Sequence, residues 1–386
     1  MTTVRGTFVE ACGRRLGEVA AGALADDLPG LVVLAAHGDE VHVEARGTLA
    51  VGGEPVARDS LFRLASLTKP VVAAAVGTLL ADDALTLDEP VDRLLPELAH
   101  PRVLRRPDAA LDDTVPAARP ISVRDVLTYT CGWGQSMELF MADPPWPIGA
   151  ALGAERLNTM GPPRPDVVPD PDAWLAELAE LPLLAQPGER WLYNTPGQLL
   201  GVLAARAAGE PLPDLLRTRV LEPLGMTDTA FTGHPARLAT AYEAGVVWDV
   251  PDGLWSTPPR FPDGAAGLVS TVDDLLAFSR MLLAGGAEVL RPDFVAAMTS
   301  DQLTVDQRAW AGGFLDEGMG WGFGVSVTTG GPRTGSFGWA GGLGTSWHVD
   351  PVRDLVVVTL TQRLFGSPDD FALHTATVDA AYAAPG

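Results

Sequence analysis

The segment LFRLASLTKPVVAAAVGTLL occupies positions 61–80 of the 386-residue chain. Its first four residues are typical of a short strand, and the apolar run from Val71 to Leu80 predicts a buried helix. Pro70 is tolerated at the start of such a helix, because the N–H groups of a first turn have no helical partner. This part of the chain is therefore predicted to pass directly from a strand into a buried helix.

Ser66 and Lys69 lie at this junction and form an S-x-x-K pattern. Residues three apart share one face of a helix, so the Lys69 amine can reach the Ser66 hydroxyl. Burial lowers the pKa of a lysine, and a neutral amine can accept the serine proton. A serine in the first turn of a helix also lies where the helix dipole favours negative charge. Ser66 is therefore predicted to be a nucleophile and Lys69 its base.

The basic residues of the chain point the same way. The 27 lysines and arginines include a single lysine, Lys69. Arginine stays protonated in proteins, whereas a desolvated lysine can lose its proton. A lone lysine three positions from a serine indicates proton transfer, although an arginine-rich composition also leaves rare lysines by chance.

A second motif, WLYNT at positions 191–195, contains Tyr193, one of four tyrosines in the chain. The helical run that follows places its phenol at the edge of a loop and a helix. A nearby cationic lysine would lower the pKa of Tyr193 and suit it to pass a proton to a leaving group. The alternative is a tyrosine whose ring only packs at a helix start.

The third motif is FGWAGGLG at positions 337–344. Glycines at this density before a strand allow another backbone, or a substrate, to approach closely. The N–H groups of Gly342 and Ser66 together would form an oxyanion hole. An ordinary glycine-rich hairpin is the alternative.

Strands are expected at both ends of the chain and helices between them. The pattern predicts an α+β fold, an α/β sandwich with an antiparallel sheet from residues 1–70 and 260–386, and an inserted, mainly helical domain at 71–259. The predicted strands are 31–37, 40–46, 321–327, 345–349 and 355–361, and the predicted helices include 71–80, 172–184, 198–208, 271–283 and 369–384.

Composition restricts the classes of function. The formal net charge of −22 argues against nucleic acid and anionic lipid as partners, because both are bound by clustered lysine and arginine. No stretch approaches the roughly 20 consecutive apolar residues of a membrane helix, and charged residues near the N-terminus break any signal peptide. With Cys12 and Cys131 as the only cysteines, no secreted disulfide framework is expected. The sequence predicts a cytoplasmic enzyme.

Other catalytic arrangements lack their motifs. The chain contains no G-x-S-x-G nucleophile elbow, no H-E-x-x-H zinc pattern and no glycine-rich nucleotide loop. Its six histidines are scattered, so no metal and no cofactor are expected. Cys131 could be a thiol nucleophile, but no neighbour in sequence would activate it, and a buried structural cysteine is the favoured interpretation.

Taken in order, Ser66 with Lys69, then Tyr193, then Trp339 with Gly341 resemble the motifs of class C β-lactamase and penicillin-binding-protein-like serine hydrolases. Within that superfamily they are most similar to the family VIII carboxylesterases. The likeness extends over nearly the whole chain, through segments 87–91, 120–128, 221–226 and 266–271. The resemblance implies a β-lactamase/DD-peptidase-like fold, with the active site between a sheet flanked by helices and a helical domain.

Departures from the family pattern bear on the substrate. Lactamase-like members have Tyr-x-Asn where this chain has Thr195, and a lysine where it has Trp339. Both differences favour carboxylic esters over penicillins or D-alanyl peptides, and we expect Trp339, Gly341 and Thr195 to bind substrate. Tyr129 and Cys131 replace a His and a Ser of other members, with no role that the sequence assigns.

The expected function is hydrolysis of a small-molecule carboxylic ester. A Ser66 acyl-enzyme, activated by Lys69 and Tyr193, would carry the reaction. Three alternatives stay open: a β-lactamase or D-alanyl-D-alanine carboxypeptidase, an acyltransferase on the same fold, and a non-catalytic binding module. The oligomeric state cannot be derived from these patterns.

Overall fold

The computed structural model describes residues 7–26, 28–154 and 156–384. Its strands are β1 (Gly30–His37), β2 (Glu40–Gly47), β3 (Phe62–Arg63), β4 (Arg102–Leu104), β5 (Thr114–Pro116), β6 (Ala241–Glu243), β7 (Val246–Asp249), β8 (Val269–Ser270), β9 (Met319–Trp321), β10 (Ser326–Thr328), β11 (Phe337–Gly341), β12 (Thr345–Asp350) and β13 (Leu355–Thr361). Its helices are α1 (Phe8–Ala25), α2 (Thr68–Ala81), α3 (Val123–Leu127), α4 (Met137–Met141), α5 (Pro147–Leu152), α6 (Pro171–Ala179), α7 (Thr195–Ala208), α8 (Leu212–Leu216), α9 (Glu222–Leu224), α10 (Val272–Leu283), α11 (Pro292–Met298), α12 (Val305–Ala309) and α13 (Ala372–Tyr382).

Seven strands form one sheet in the order β2-β1-β13-β12-β11-β10-β9. Every neighbouring pair is antiparallel. Leu31 of β1 lies opposite Thr361 of β13, so strands from the two ends of the chain lie side by side in the sheet. The predicted α+β fold with an antiparallel sheet and a helical region is confirmed. The exact division of domains at positions 70 and 260 stays a prediction.

Strand β1 is buried on both of its faces. Successive side chains of a strand point to opposite sides. One side packs against α1 and α13, and the other packs into the main core with α2. The first set is Leu31, Val33 and Ala35, and the second is Val32, Leu34 and Ala36. Helix α2 is apolar all round because the protein covers it on every side, with each residue from Thr68 to Leu79 buried.

The prediction of a single strand at 321–327 is wrong, because this segment contains the end of one strand, β9, and the start of a second, β10. β9 and β10 pair with each other as a hairpin, and the N–H of Gly322 donates to the carbonyl of Val325 across the turn. Gly324 has φ +70°, and a Cβ there would lie 3.0 Å from the carbonyl oxygen of Lys69. The glycines therefore let this turn press against the start of α2, which a continuous strand could not do.

Several predicted helices are confirmed, some with different ends. Thr271 is the N-cap of α10, and its side chain accepts from the Asp274 N–H. Helix α6 ends at Ala179 rather than at 184, because Pro182 follows and Leu183 joins a bridge to Val103. The closing helix α13 starts at Ala372 after a short 3₁₀ turn. Within the described residues, no helix is both long and apolar enough to span a bilayer.

Candidate active site

Ser66 lies in a 3₁₀ turn, Ala65–Leu67, that precedes α2. The sequence placed it in the first turn of the α-helix, but the helix proper begins at Thr68. β3 pairs with β8 immediately before this turn, and Ala65 bends the chain with φ +45°. Such a left-handed conformation costs a non-glycine residue roughly 1–2 kcal/mol. This bend sets Ser66 at the junction, where 9% of the residue is exposed.

Lys69 has three hydrogen-bond partners for its three N–H groups. Nζ donates to Ser66 Oγ at 2.9 Å, to Asn194 Oδ1 at 3.0 Å and to the Ala265 carbonyl at 2.8 Å. The amide and carbonyl oxygens can only accept. When the amine is neutral, they retain its two hydrogens and its lone pair is left facing Ser66. The geometry is therefore ready for proton transfer from Ser66 to Lys69.

The charge state of Lys69 is set by burial and by Asp263. Burial lowers the pKa of Lys69 to about 7, against the opposing attraction of the Asp263 carboxylate. Asp263 is itself buried, which raises the pKa of its carboxyl, and it accepts from the Ala265 N–H at 2.7 Å. Asp263 thus holds the turn that presents the Ala265 carbonyl to Lys69. Asp263 was not predicted from the sequence, because it lies 194 positions after Lys69 and in no recognised motif.

Tyr193 bonds to Ser66 and to Trp339 of the third motif. Its Oη donates to Ser66 Oγ at 2.7 Å and accepts from Trp339 Nε1 at 2.6 Å. An indole N–H can only donate, so the phenol has to aim its own hydrogen elsewhere, and it aims it at Ser66. Burial raises the pKa of Tyr193 to about 12, partly offset by these two hydrogen bonds. The predicted lowering of this pKa is wrong, because desolvation outweighs both hydrogen bonds.

Asn194 is a second residue that the sequence analysis missed. It has φ +71° and ψ −66°, and the Thr195 N–H donates to the Tyr193 carbonyl at 3.0 Å, which closes a tight γ-turn. This strained turn directs the Asn194 amide at Lys69, while its Nδ2 donates to the Thr159 carbonyl at 2.9 Å. The one signal in the sequence was the residue type, because asparagine tolerates the positive φ of such a turn better than most residues.

Thr195 does not line the cleft. It is the first residue of α7 and fully buried, with no hydrogen-bond partner for its Oγ1. A substrate could reach this side chain only if the surrounding core opened. We therefore do not retain Thr195 as a substrate contact.

The third motif brings β11 against the turn that holds Ser66. Trp339 is half-buried and packs edge-on against Trp321, with ring centroids 4.9 Å apart. A Cβ at Gly341 would lie 2.1 Å from the Leu64 carbonyl oxygen, so only glycine allows this approach. Gly342 is exposed, with open space where a Cβ would stand. An oxyanion hole from the Gly342 and Ser66 N–H groups stays a prediction.

Tyr129 and Cys131 lie inside the protein. Tyr129 is fully buried, packs 5.0 Å from Trp321 between ring centroids and has no partner for its Oη. Burial raises the pKa of the Cys131 thiol to about 12, which agrees with a structural cysteine rather than a nucleophile. Within the part of the chain that the structure describes, no group of three His, Cys, Asp or Glu side chains could hold a metal ion.

Comparison with known proteins finds relatives that match most of the chain. The Beta-lactamase family matches residues 16–382. Esterase EstB of Burkholderia gladioli is 32% identical over 385 residues, which cover 92% of this chain and 90% of EstB. Protein Rv1367c of Mycobacterium tuberculosis (strain ATCC 25618 / H37Rv) is 38% identical over 333 residues, which cover 81% of this chain and 79% of that protein.

The solved structures agree. EstCE1, described as a hydrolase with promiscuous acyltransferase activity, superposes with a TM-score of 0.79 at 26% identity, covering 97% of this chain and 99% of EstCE1. The resemblance stated from the motifs around Ser66, Tyr193 and Trp339 is thereby confirmed, as is the β-lactamase/DD-peptidase-like fold. The chain belongs to the Beta-lactamase family, within the superfamily of β-lactamase-like and penicillin-binding-protein-like serine hydrolases.

Proposed function

We propose that the protein hydrolyses small-molecule carboxylic esters through an acyl-enzyme on Ser66. One observation carries the proposal: a directed chain of hydrogen bonds runs from Trp339 through Tyr193 to Ser66, next to the Lys69 amine. Each donor in it has one defined acceptor, so Ser66 can release its own proton only toward Lys69. The relatives EstB and EstCE1, an esterase and a hydrolase, support this class of reaction.

Acylation follows from this arrangement. Neutral Lys69 takes the proton of Ser66 while Oγ bonds to the ester carbonyl carbon, and the carbonyl oxygen becomes an oxyanion held by the N–H groups of Ser66 and Gly342. The bond to the alcohol oxygen then breaks. That oxygen leaves with a proton delivered through Tyr193, and the proton on Lys69 replaces it.

Deacylation uses the same groups in the opposite sense. A water molecule enters where the alcohol left and gives a proton to the Tyr193 and Lys69 pair as its oxygen bonds to the acyl carbon. The bond to Ser66 Oγ breaks, the serine regains its proton, and the carboxylic acid departs. At neutral pH a pKa near 7 lets Lys69 both accept and return protons.

The choice of esters over β-lactams rests on charge. A penicillin or a D-alanyl peptide carries a carboxylate, and burying an unpaired carboxylate is costly. Trp339 stands where lactamase-like members have a lysine, and its single N–H is already bonded to Tyr193. The only lysine of the chain is bonded to Ser66. A neutral ester therefore fits the site better than an anionic lactam.

Acyl transfer is the second candidate. EstCE1 is described as having promiscuous acyltransferase activity, and an alcohol that replaces water in the second step gives a new ester by the same chemistry. Product analysis with an added alcohol separates the two reactions, because hydrolysis alone yields the acid and the leaving alcohol and no new ester.

The test of the nucleophile combines activity with covalent labelling. We expect Ser66→Ala to abolish turnover of p-nitrophenyl butyrate without loss of the folded state. Ser256→Ala, a change at a partly buried serine whose hydroxyl donates to the Asp252 and Gly253 carbonyls, should leave turnover intact. Mass spectrometry after treatment with a serine-reactive phosphonate should place the adduct on Ser66. An adduct on a different serine, or full activity in Ser66→Ala, would contradict the mechanism.

A further inference from the structure

An apolar strip reaches the surface beside Tyr193. It consists of Met137, Phe140 and Met141 of α4 together with Phe314, which follows α12, and we call it the Met–Phe strip. The ring centroids of Phe314 and Tyr193 are 5.1 Å apart, and those of Phe140 and Phe314 are 6.0 Å apart. The strip thus continues outward from the phenol that contacts Ser66.

The exposure of this strip is unusual for side chains of its kind. Phe140 is 45% exposed and Met141 is 74% exposed. Among the described residues, the exposed methionines and aromatic residues are Met137, Phe140, Met141, Trp310 and Phe371. Three of these five are in the strip. Clustered apolar groups left in water mark binding surfaces, and methionine adapts to ligands of different shape.

The position of the strip relative to Tyr193 is set by the backbone. Gln135 and Tyr193 exchange two backbone hydrogen bonds, at 2.8 and 2.9 Å. Helix α4 starts two residues after Gln135, capped by the Ser136 side chain. Met137 also packs against the chain just before Phe314. It fills the space beside Gly313, where its Cγ would be 2.2 Å from a Cβ at that glycine. The strip is therefore held by the backbone pairing at Tyr193 and by the packing of Met137 on Gly313.

The proton path indicates which half of an ester meets this strip. In the proposed reaction the leaving oxygen takes its proton through Tyr193, so the alcohol half lies on the Tyr193 side of the carbonyl. The strip begins at Tyr193 through Phe314. An apolar group attached to the alcohol oxygen would therefore extend along Phe314 toward Phe140 and Met141.

We propose that the Met–Phe strip binds the alcohol half of the substrate, and that the preferred substrates are esters of bulky apolar alcohols. This inference rests on the proposed esterase function. Charge agrees with it, because the described charged groups at α4 are paired with each other, Glu138 with Arg190 at 3.7 Å. Burial of apolar area on the strip supplies the selectivity.

The test uses two isomeric esters that differ only in which half carries the phenyl group. 4-Phenylbutyl acetate has it on the alcohol, and ethyl 4-phenylbutanoate has it on the acid. We expect wild type to prefer the acetate. The ratio of the two kcat/KM values should fall roughly four- to fifteenfold in Phe140→Ser and in Met141→Ser, as expected for losing the burial of one or two methylene equivalents.

Val352→Ser is the matched control, because Val352 is 82% exposed and lies in the turn after β12, at the end of that strand remote from Gly342. It should leave the ratio unchanged, and equal thermal midpoints would show that all variants are folded. An unchanged ratio in Phe140→Ser and Met141→Ser, or a loss confined to ethyl 4-phenylbutanoate, would overturn the inference while ester hydrolysis stands. A wild-type dimer that Met141→Ser makes monomeric would assign the strip to a second copy and also overturn it. If wild type hydrolyses neither ester and the phosphonate does not label Ser66, the proposed function itself fails.

Discussion

The indole Nε1 of Trp339 donates a hydrogen bond to Tyr193 Oη over 2.6 Å. Because the indole cannot accept, the phenol hydrogen is directed to Ser66 Oγ, 2.7 Å away. A lysine at position 339 would make a similar donation but would add a positive charge. Trp339 therefore orients the phenol hydrogen of Tyr193 toward Ser66 while adding no charge on that side of the site, a role beyond the apolar contact that its residue type suggests.

Replacing Trp339 by phenylalanine tests this orientation. Trp339→Phe keeps an aromatic ring and removes the N–H donor, so we expect kcat to fall roughly tenfold, the equivalent of about 1.4 kcal/mol, with a smaller change in KM. Trp174→Phe is the control, since it removes an indole bond to the Leu157 carbonyl outside the site. Unchanged kcat in Trp339→Phe would show that Tyr193 does not need this donor.

Replacing Lys69 by arginine distinguishes a lysine that accepts a proton from one that only supplies a positive charge. Arginine keeps the positive charge but cannot give up its proton near neutral pH. We expect Lys69→Arg to lower kcat about as much as Lys69→Ala, by on the order of 10²-fold or more. Steady-state kinetics on p-nitrophenyl butyrate gives the comparison. Near wild-type rates in Lys69→Arg would mean that Lys69 acts only through its charge.

The pH profile should report the state of Lys69. The base has to be neutral and its pKa is lowered to about 7, so kcat/KM should rise as pH increases through about 7 and level off above it. Asp263 opposes this lowering. Asp263→Asn removes the anion that stabilises the ammonium form of Lys69. The acidic limb of the profile, which is the rise of kcat/KM with pH, should therefore move to lower pH.

Asp274→Asn is the control for that shift. Asp274 is also buried, with a pKa raised mainly by burial, but it bonds to Thr229 rather than facing Lys69. Its replacement should leave the acidic limb in place. A limb that does not move in Asp263→Asn, or moves upward, would rule out Asp263 as the partner of the base.

Substrate choice should depend on position 339. We expect wild type to show a higher kcat/KM on p-nitrophenyl butyrate than on nitrocefin, because nitrocefin carries a carboxylate, and the one lysine of the chain is already bonded to Ser66. Trp339→Lys adds an ammonium that can still donate to Tyr193, and it should narrow the gap. Higher efficiency of wild type on nitrocefin would refute the esterase assignment while leaving the Ser66 mechanism in place.

The main elements of the site could be predicted because they are local or distinctive. Ser66 and Lys69 are three residues apart beside an apolar run, and spacing on a helix brings such groups together. The missed residues depend on long-range packing. Asp263 faces Lys69 through a turn at 263–265, and Asn194 reaches it only because a γ-turn rotates its amide. Neither contact with Lys69 is reflected in a repeating pattern or a fixed spacing of residues in the sequence.

The sequence by itself determined the strand and helix around Ser66, the strands β1 and β2, and the proximity of Ser66 to Lys69, since hydrophobic period and residue type act over a few positions. Tertiary structure decided the direction of the hydrogen bonds and the pKa of Tyr193. Trp339 lies 146 residues from Tyr193, and burial, which raises the pKa of Tyr193 to about 12, depends on rings from distant segments. Desolvation is a property of the whole packed core, so no local pattern could give its sign.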